Sequence, residues 1–149
     1  GYAIINDIKK NVKNIEDFRK KIGKYSSRNT TDLLSVILLG ALIHEASDIH
    51  IEPQKDKTRL RIRVDGILQD VTYFEQNIYN NLLSRLKLLS KIKLNITQKP
   101  QDGRFTILIE DLLIEIRTSS LPSEWGESIV MRVLNPKNLM KLEKLLEKR

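Results

Sequence analysis

The sequence predicts an α+β domain, an antiparallel sheet of about six strands covered by helices on one side. Three observations carry this. Apolar residues recur at spacings of three and four over residues 4–22 and 75–94, the period of a helix, and residues 32–46 are apolar nearly all round, as in a buried helix. Elsewhere the apolar period falls to two, in short runs centred on Ile49, Ile62, Ile107, Ile114 and Met131. The resulting order is helix, three strands, helix, three strands, helix, which suits an antiparallel layer fold better than the strict alternation of a parallel sheet.

Taken in order, Ile4, Ile5, Ile8, Val12, Ile15, Phe18 and Ile22 form one stripe on a helix that needs a neighbour, followed by a polar hinge over residues 23–29. Residues 47–53 alternate Ile49 and Ile51 with Asp48, His50 and Glu52, so a strand follows the second helix directly. Leu60, Ile62 and Val64 alternate with Arg59, Arg61 and Arg63, and Asp65-Gly66 joins this run to residues 67–73. Asp-Gly between two β-patterned runs is the signature of a two-residue hairpin, because a type I′ turn needs positive φ at both positions. Ile78, Tyr79, Leu82, Leu83, Leu86, Leu89 and Ile92 then set the inner face of a long helix. A loop over residues 95–103 leads to a strand from Arg104, a turn at Glu110-Asp111, a strand over 112–119, a loop over 122–126 and a last strand over 128–134. Beyond Pro136 a basic amphipathic helix is expected.

A chain of 149 residues with 40% hydrophobic composition can bury one sizeable core, not two. There is no cysteine, which excludes disulfides and thiolate metal sites and makes a cytoplasmic address the expectation. No apolar run approaches the ~20 residues of a membrane span. The net charge of +7 invites a nucleic-acid reading, but residues 1–31 hold eight basic and three acidic side chains, and the remainder is nearly neutral. No nucleic-acid partner is therefore expected.

The chemistry is sparse. The six glycines are scattered at 1, 23, 40, 66, 103 and 126, so neither a phosphate-binding GxxxxGK loop nor a GxGxxG fingerprint exists. Asp48, His50 and Glu52 share a strand face and keep a weak metal reading open, against that of a hydrogen-bonded face; no metal site is expected. What remains is an arginine pattern: Arg104, Arg117 and Arg132 each stand in or beside a strand whose apolar neighbours fix the face from which the side chain leaves. Periodicity alone leaves them free to pair with Glu110, Glu115 or Glu127, and leaves Arg59, Arg61 and Arg63 as a solvated row or an interface ladder.

Six runs occur in a telling order: "ASDIHIEP" (46–53), "RIRVDG" (61–66), "SRLK" (84–87), "PQDGRF" (100–105), "IRTSSLP" (116–122) and "GESIVMRVL" (126–134). Together they resemble the N-terminal half of the ATPases that drive type II secretion and type IV pilus assembly, over about residues 31–134. The resemblance implies a PAS-like subdomain over residues 31–135, preceded by an amphipathic helix and linker over 1–30. Residues 136–149 are then the start of a linker helix to a RecA-like domain, which carries the Walker motifs that this chain lacks. By itself the chain is then expected to be inactive and to hold no cofactor, with ATP and Mg bound in the full-length parent.

The same resemblance implies that this subdomain packs on the nucleotide-loaded RecA-like domain within a homohexamer and presents arginines to the ATP phosphates. Motif by motif these are Arg117 and Arg132, of arginine-finger type, with Arg104 third. Partners would be the RecA-like domain, neighbouring subunits and inner-membrane platform proteins, placing the machine in the cytoplasm at the inner membrane. The chain departs from the family at residues 95–99, where a charged Ala-Glu-Lys-Arg run is common. A stand-alone PAS-like sensor or a nucleic-acid-binding module is the alternative reading.

Overall fold

The computed structural model describes residues 2–134. Its elements in chain order are α1 (Tyr2–Asn11), α2 (Ile15–Ser26), α3 (Thr30–Ile43), β1 (Asp48–Pro53), β2 (Lys57–Val64), β3 (Ile67–Glu75), α4 (Gln76–Leu89), β4 (Gln101–Ile109), β5 (Leu112–Ser123) and β6 (Gly126–Val133). The helix expected over 137–149 lies outside the described residues.

The helix predicted over residues 4–22 is two helices. Asn14 adopts extended backbone and its side chain accepts from the N–H of Asp17, while Asp17 Oδ2 accepts from the N–H of Lys13. This reciprocal cap starts a new helix while the apolar stripe runs on, so Ile8, Val12, Phe18 and Ile22 still enter one core. Asn29 caps α3 in the same way through the N–H of Asp32, and α2 runs on through Gly23 to Ser26, which shortens the expected hinge. In α3, nine residues are buried, as its all-round apolarity requires; Phe18 of α2 lies against Gly40, where a Cβ would collide with the ring.

The sheet order is β3-β2-β1-β6-β5-β4, every neighbour antiparallel. It is two three-stranded meanders, β1 to β3 and β4 to β6, joined where β1 pairs with β6. Ile49, Ile51, Leu60, Ile62, Ile114, Ile116, Ile129 and Met131 form its buried face and share a core with the helices. The alternate residues form an open, charged face. The Asp65-Gly66 hairpin has φ of 52° and 80°, the paired positive values of a type I′ turn, and Glu110-Asp111 repeats them at 46° and 70° without a glycine.

Three boundaries differ from expectation. β4 begins at Gln101, inside the expected loop, and β5 extends to Ser123, leaving only Glu124 and Trp125 as the turn into β6. The expected helix over 75–94 ends at Leu89. Its C-cap turn places Lys91 at φ 61° and buries Ile92 beyond the helix, whereas Leu89 is 42% exposed rather than in the core.

Candidate functional site

Two-residue turns fix the register of the second meander. Arg104 of β4 stands opposite Arg117 of β5, and Arg117 opposite Arg132 of β6. The β1–β6 pairing continues this line to Asp48, and β2 adds Arg63. One lateral row on the open face therefore reads Arg104, Arg117, Arg132, Asp48, Arg63. Neighbouring members of such a row stand ~5 Å apart at Cβ.

Asp48 organises one end of this row. Its side chain is only 7% exposed and accepts from Arg63 Nε at 2.8 Å through Oδ2 and from Arg132 Nε at 3.1 Å through Oδ1. Burial pushes this carboxyl up, but the two guanidinium hydrogen bonds more than offset that and hold it below the usual carboxylate range. Arg132 is tethered through Nε alone and stays 65% exposed. Arg104 reaches Glu115 at 3.5 Å with 71% of its side chain in solvent, a loose surface pair. Among the described residues Arg117 makes neither an ion pair nor a side-chain hydrogen bond. With Asp102, Gly103 and Ser119, Arg104 and Arg117 line an open depression.

The backbone beneath is held from the opposite face. Ser90, in the C-cap turn of α4, donates to Thr118 Oγ1 at 2.9 Å, and a Cβ at Gly103 would collide with the Ser90 carbonyl oxygen. Gly103 and Thr118 are themselves a cross-strand pair, one step from Arg104 and Arg117. The end of α4 thus braces the two strands that carry them. Lys87, 2% exposed, joins Glu127 at 2.6–2.7 Å and donates to the Ile96 carbonyl, tying the helix to β6 and to the loop before β4. Neither signal was read from sequence; an isolated Lys among leucines at Lys87 was the one available.

The Arg59, Arg61 and Arg63 row is a ladder. Glu52 accepts from Arg61 at 2.6 Å and pairs with Arg59 at 3.5 Å, and Asp48 takes Arg63. His50 lies between Asp48 and Glu52, its basicity lowered mainly by burial. Asp48, His50 and Glu52 do share a face, but arginines occupy both carboxylates, and among the described residues no three His, Asp or Glu groups form a metal-binding set.

The arginine row lies within the segment that known proteins share. The family model described as "Type II/IV secretion system protein" matches residues 25–147. The chain is 37% identical over 111 residues to type II secretion system protein E of Dickeya dadantii, covering 74% of this chain and 22% of that protein. It is 43% identical over 102 residues to the protein transport protein HofB homolog of Haemophilus influenzae, covering 67% and 22%. With the type IV pilus assembly ATPase TfpB of Acinetobacter baylyi it shares 35% over 117 residues, 78% and 20%. This chain thus spans about a fifth of the length of these relatives. The structure of the Legionella pneumophila ATPase DotB shares the fold, with a TM-score of 0.53 at 18% identity, over 72% of this chain and 30% of that one. Among the described residues no helix is long and apolar enough to cross a membrane. The chain belongs to the type II/IV secretion system protein family.

Proposed function

We propose that this chain is the arginine-donating subdomain of a hexameric secretion or pilus-assembly ATPase, and that Arg117 and Arg132, with Arg104 beside them, meet the phosphates of a nucleotide carried by a RecA-like domain of the same machine. The observation that carries this reading is the row itself. Three guanidinium groups stand side by side on a braced sheet, and Arg117, the middle one, has no carboxylate partner among the described residues. Like charges directly opposite one another are unfavourable in a sheet. A polyanion laid across them turns that cost into binding energy, and the planar fork of each guanidinium matches phosphate oxygens bidentately.

The fit to ATP and Mg is electrostatic. ATP supplies the phosphoryl group to be transferred, and Mg would be held outside this chain, because Arg104, Arg117 and Arg132 offer only cations and the one carboxylate of the row, Asp48, is taken by Arg63 and Arg132. Arg132, held by Asp48 through Nε, keeps its terminal nitrogens without an acceptor among the described residues, so it presents a pre-oriented donor pair. Arg117 adds a second donor from the adjacent strand. Charge that builds on phosphate oxygens during γ-phosphoryl departure is stabilised by such donors, at about 10³–10⁵ in rate for arginine fingers. Closure of this subdomain on the nucleotide domain would bring the row in, and opening would withdraw it, which couples turnover to domain motion. Inner-membrane platform proteins would receive that motion.

The test uses the full-length polypeptide. Arg117→Ala and Arg132→Ala should each lower ATP turnover by about 10³-fold or more while hexamers persist in sedimentation. Turnover within about twofold of the parent for both variants would remove the assignment, since a single contact worth a finger exceeds that by far.

A further inference from the structure

We infer that the outward face of α4 and its capping turn is a docking surface for an acidic amphipathic helix of another protein. Arg85, Leu88 and Leu89 stand at i, i+3 and i+4 on one helix face, and the turn beyond adds Lys91, Lys93 and Leu94. The three leucines are 60%, 42% and 46% exposed, an unusual loss of apolar surface to solvent on three of ten residues. The charge is one-sided: from Gln76 to Gln101 the sequence has no Asp or Glu. Arg85, Lys91 and Lys93 make no side-chain ion pair among the described residues, whereas Arg59, Arg61, Arg63, Arg104 and Arg132 on the sheet all do.

Leucines inside a rim of unpaired cations call for a complementary surface with an apolar stripe and flanking carboxylates. A helix with leucines at i, i+3, i+4 and i+7 and Glu at its borders supplies both. A lipid surface fits less well. The inner face of α4 is committed to the core through Tyr79, Leu82 and Leu86, so the helix cannot sink into the headgroup layer, and no aromatic residue stands among the exposed leucines. The same face of a second copy is excluded by charge, since cation would meet cation. This inference is independent of the arginine row, which lies on the opposite side of the sheet from α4.

The experiment titrates the intact chain with a synthetic helical peptide of about 18 residues, leucine-striped and Glu-flanked, followed by amide chemical shifts and calorimetry. A Lys-flanked peptide of the same stripe, and vesicles of phosphatidylglycerol, run in parallel. Binding of the Glu-flanked peptide with shifts confined to residues 84–95 is expected. It should weaken about tenfold or more in Leu88→Ser/Leu89→Ser and in Lys91→Glu/Lys93→Glu, but not in the distant exposed Lys55→Glu. The Lys91→Glu/Lys93→Glu variant should in turn gain affinity for the Lys-flanked peptide. All five substitutions are at exposed positions, and unchanged thermal melts confirm folding. No binding at about 1 mM peptide, binding indifferent to these variants, or vesicle binding that the same variants abolish would each overturn the inference.

Discussion

The Lys87–Glu127 pair gives a sharp test of how the site is supported. Lys87 is 2% exposed and Glu127 8%, with 2.6–2.7 Å between Nζ and the carboxylate oxygens and a further bond from Nζ to the Ile96 carbonyl at 3.1 Å. Lys87→Met removes all of these and leaves a carboxylate buried with no cation beside it. Such half-broken pairs cost about 3–5 kcal/mol. Glu127→Gln keeps an amide oxygen for Lys87 but leaves its ammonium buried without a counter-charge, a half-broken pair of the same kind, about 3–5 kcal/mol. The double variant buries no unpaired charge; the Ile96 carbonyl still accepts from Gln101 Nε2 at 3.0 Å, and the main debt is the amide introduced at position 127 and left without Lys87, about 1–3 kcal/mol for an unsatisfied buried polar group. The double variant should therefore be less destabilised than Lys87→Met alone. Urea unfolding of the 149-residue chain, read by circular dichroism, measures all three. If both single variants cost under about 1 kcal/mol and add independently, the pair is solvated rather than buried, and the brace has no foundation.

Three further expectations concern charged groups. The carboxyls of Asp48, Glu52 and Asp7 are all held below their ordinary values, so each binds protons less readily folded than unfolded. Their stabilisation is complete above the unfolded values near pH 4 and is lost as pH falls through the lower folded ones; Asp48→Asn should flatten that acid limb in melts recorded against pH. His50 is also lowered, so the unfolded chain takes its proton first and stability should begin to fall as pH drops below about 6.5, a step that His50→Gln removes. Arg117→Thr should raise the stability of the isolated chain by about 0.2–1 kcal/mol by relieving like-charge opposition on both sides. That gain should shrink in about 1 M salt, and a loss of stability instead would mean that the row is not self-repelling.

Much of this architecture follows from local rules. The Asp65-Gly66 hairpin, the strand alternation and the all-round burial of α3 are each dictated by a few neighbouring residues. The break between α1 and α2 had a local signal too, Asn14 three residues before Asp17, repeated at Asn29 and Asp32; a continuous apolar stripe masked it, because the core reads the stripe and not the backbone that carries it. The outward Leu89 was not legible, since the helical period carried through residues 75–94 places it on the inner face and cannot see that the helix ends at that residue.

The arginine row divides along the same line. Its Arg104, Arg117 and Arg132 part is a matter of counting: Arg104 and Arg117 lie five residues from either side of the Glu110-Asp111 turn, and Arg117 and Arg132 six residues from either side of Glu124-Trp125. Reading residues 122–126 as a loop hid the second count. The link from Arg132 to Asp48 could not be counted, because β1 and β6 are joined by no turn and meet only when the two meanders pack. That seam explains an otherwise costly arrangement. A buried carboxylate in β1 would be expensive alone, and an arginine on β6 would wander on its long side chain; paired across the seam, the first gains its counter-charges and the second a fixed direction. Arg117, one strand further out, has no such carboxylate among the described residues. The fold thus neutralises Arg63 and Arg132 from within through Asp48, pairs Arg104 loosely with Glu115, and leaves Arg117 to be neutralised from outside, which is the property that the proposed anion-receiving surface needs.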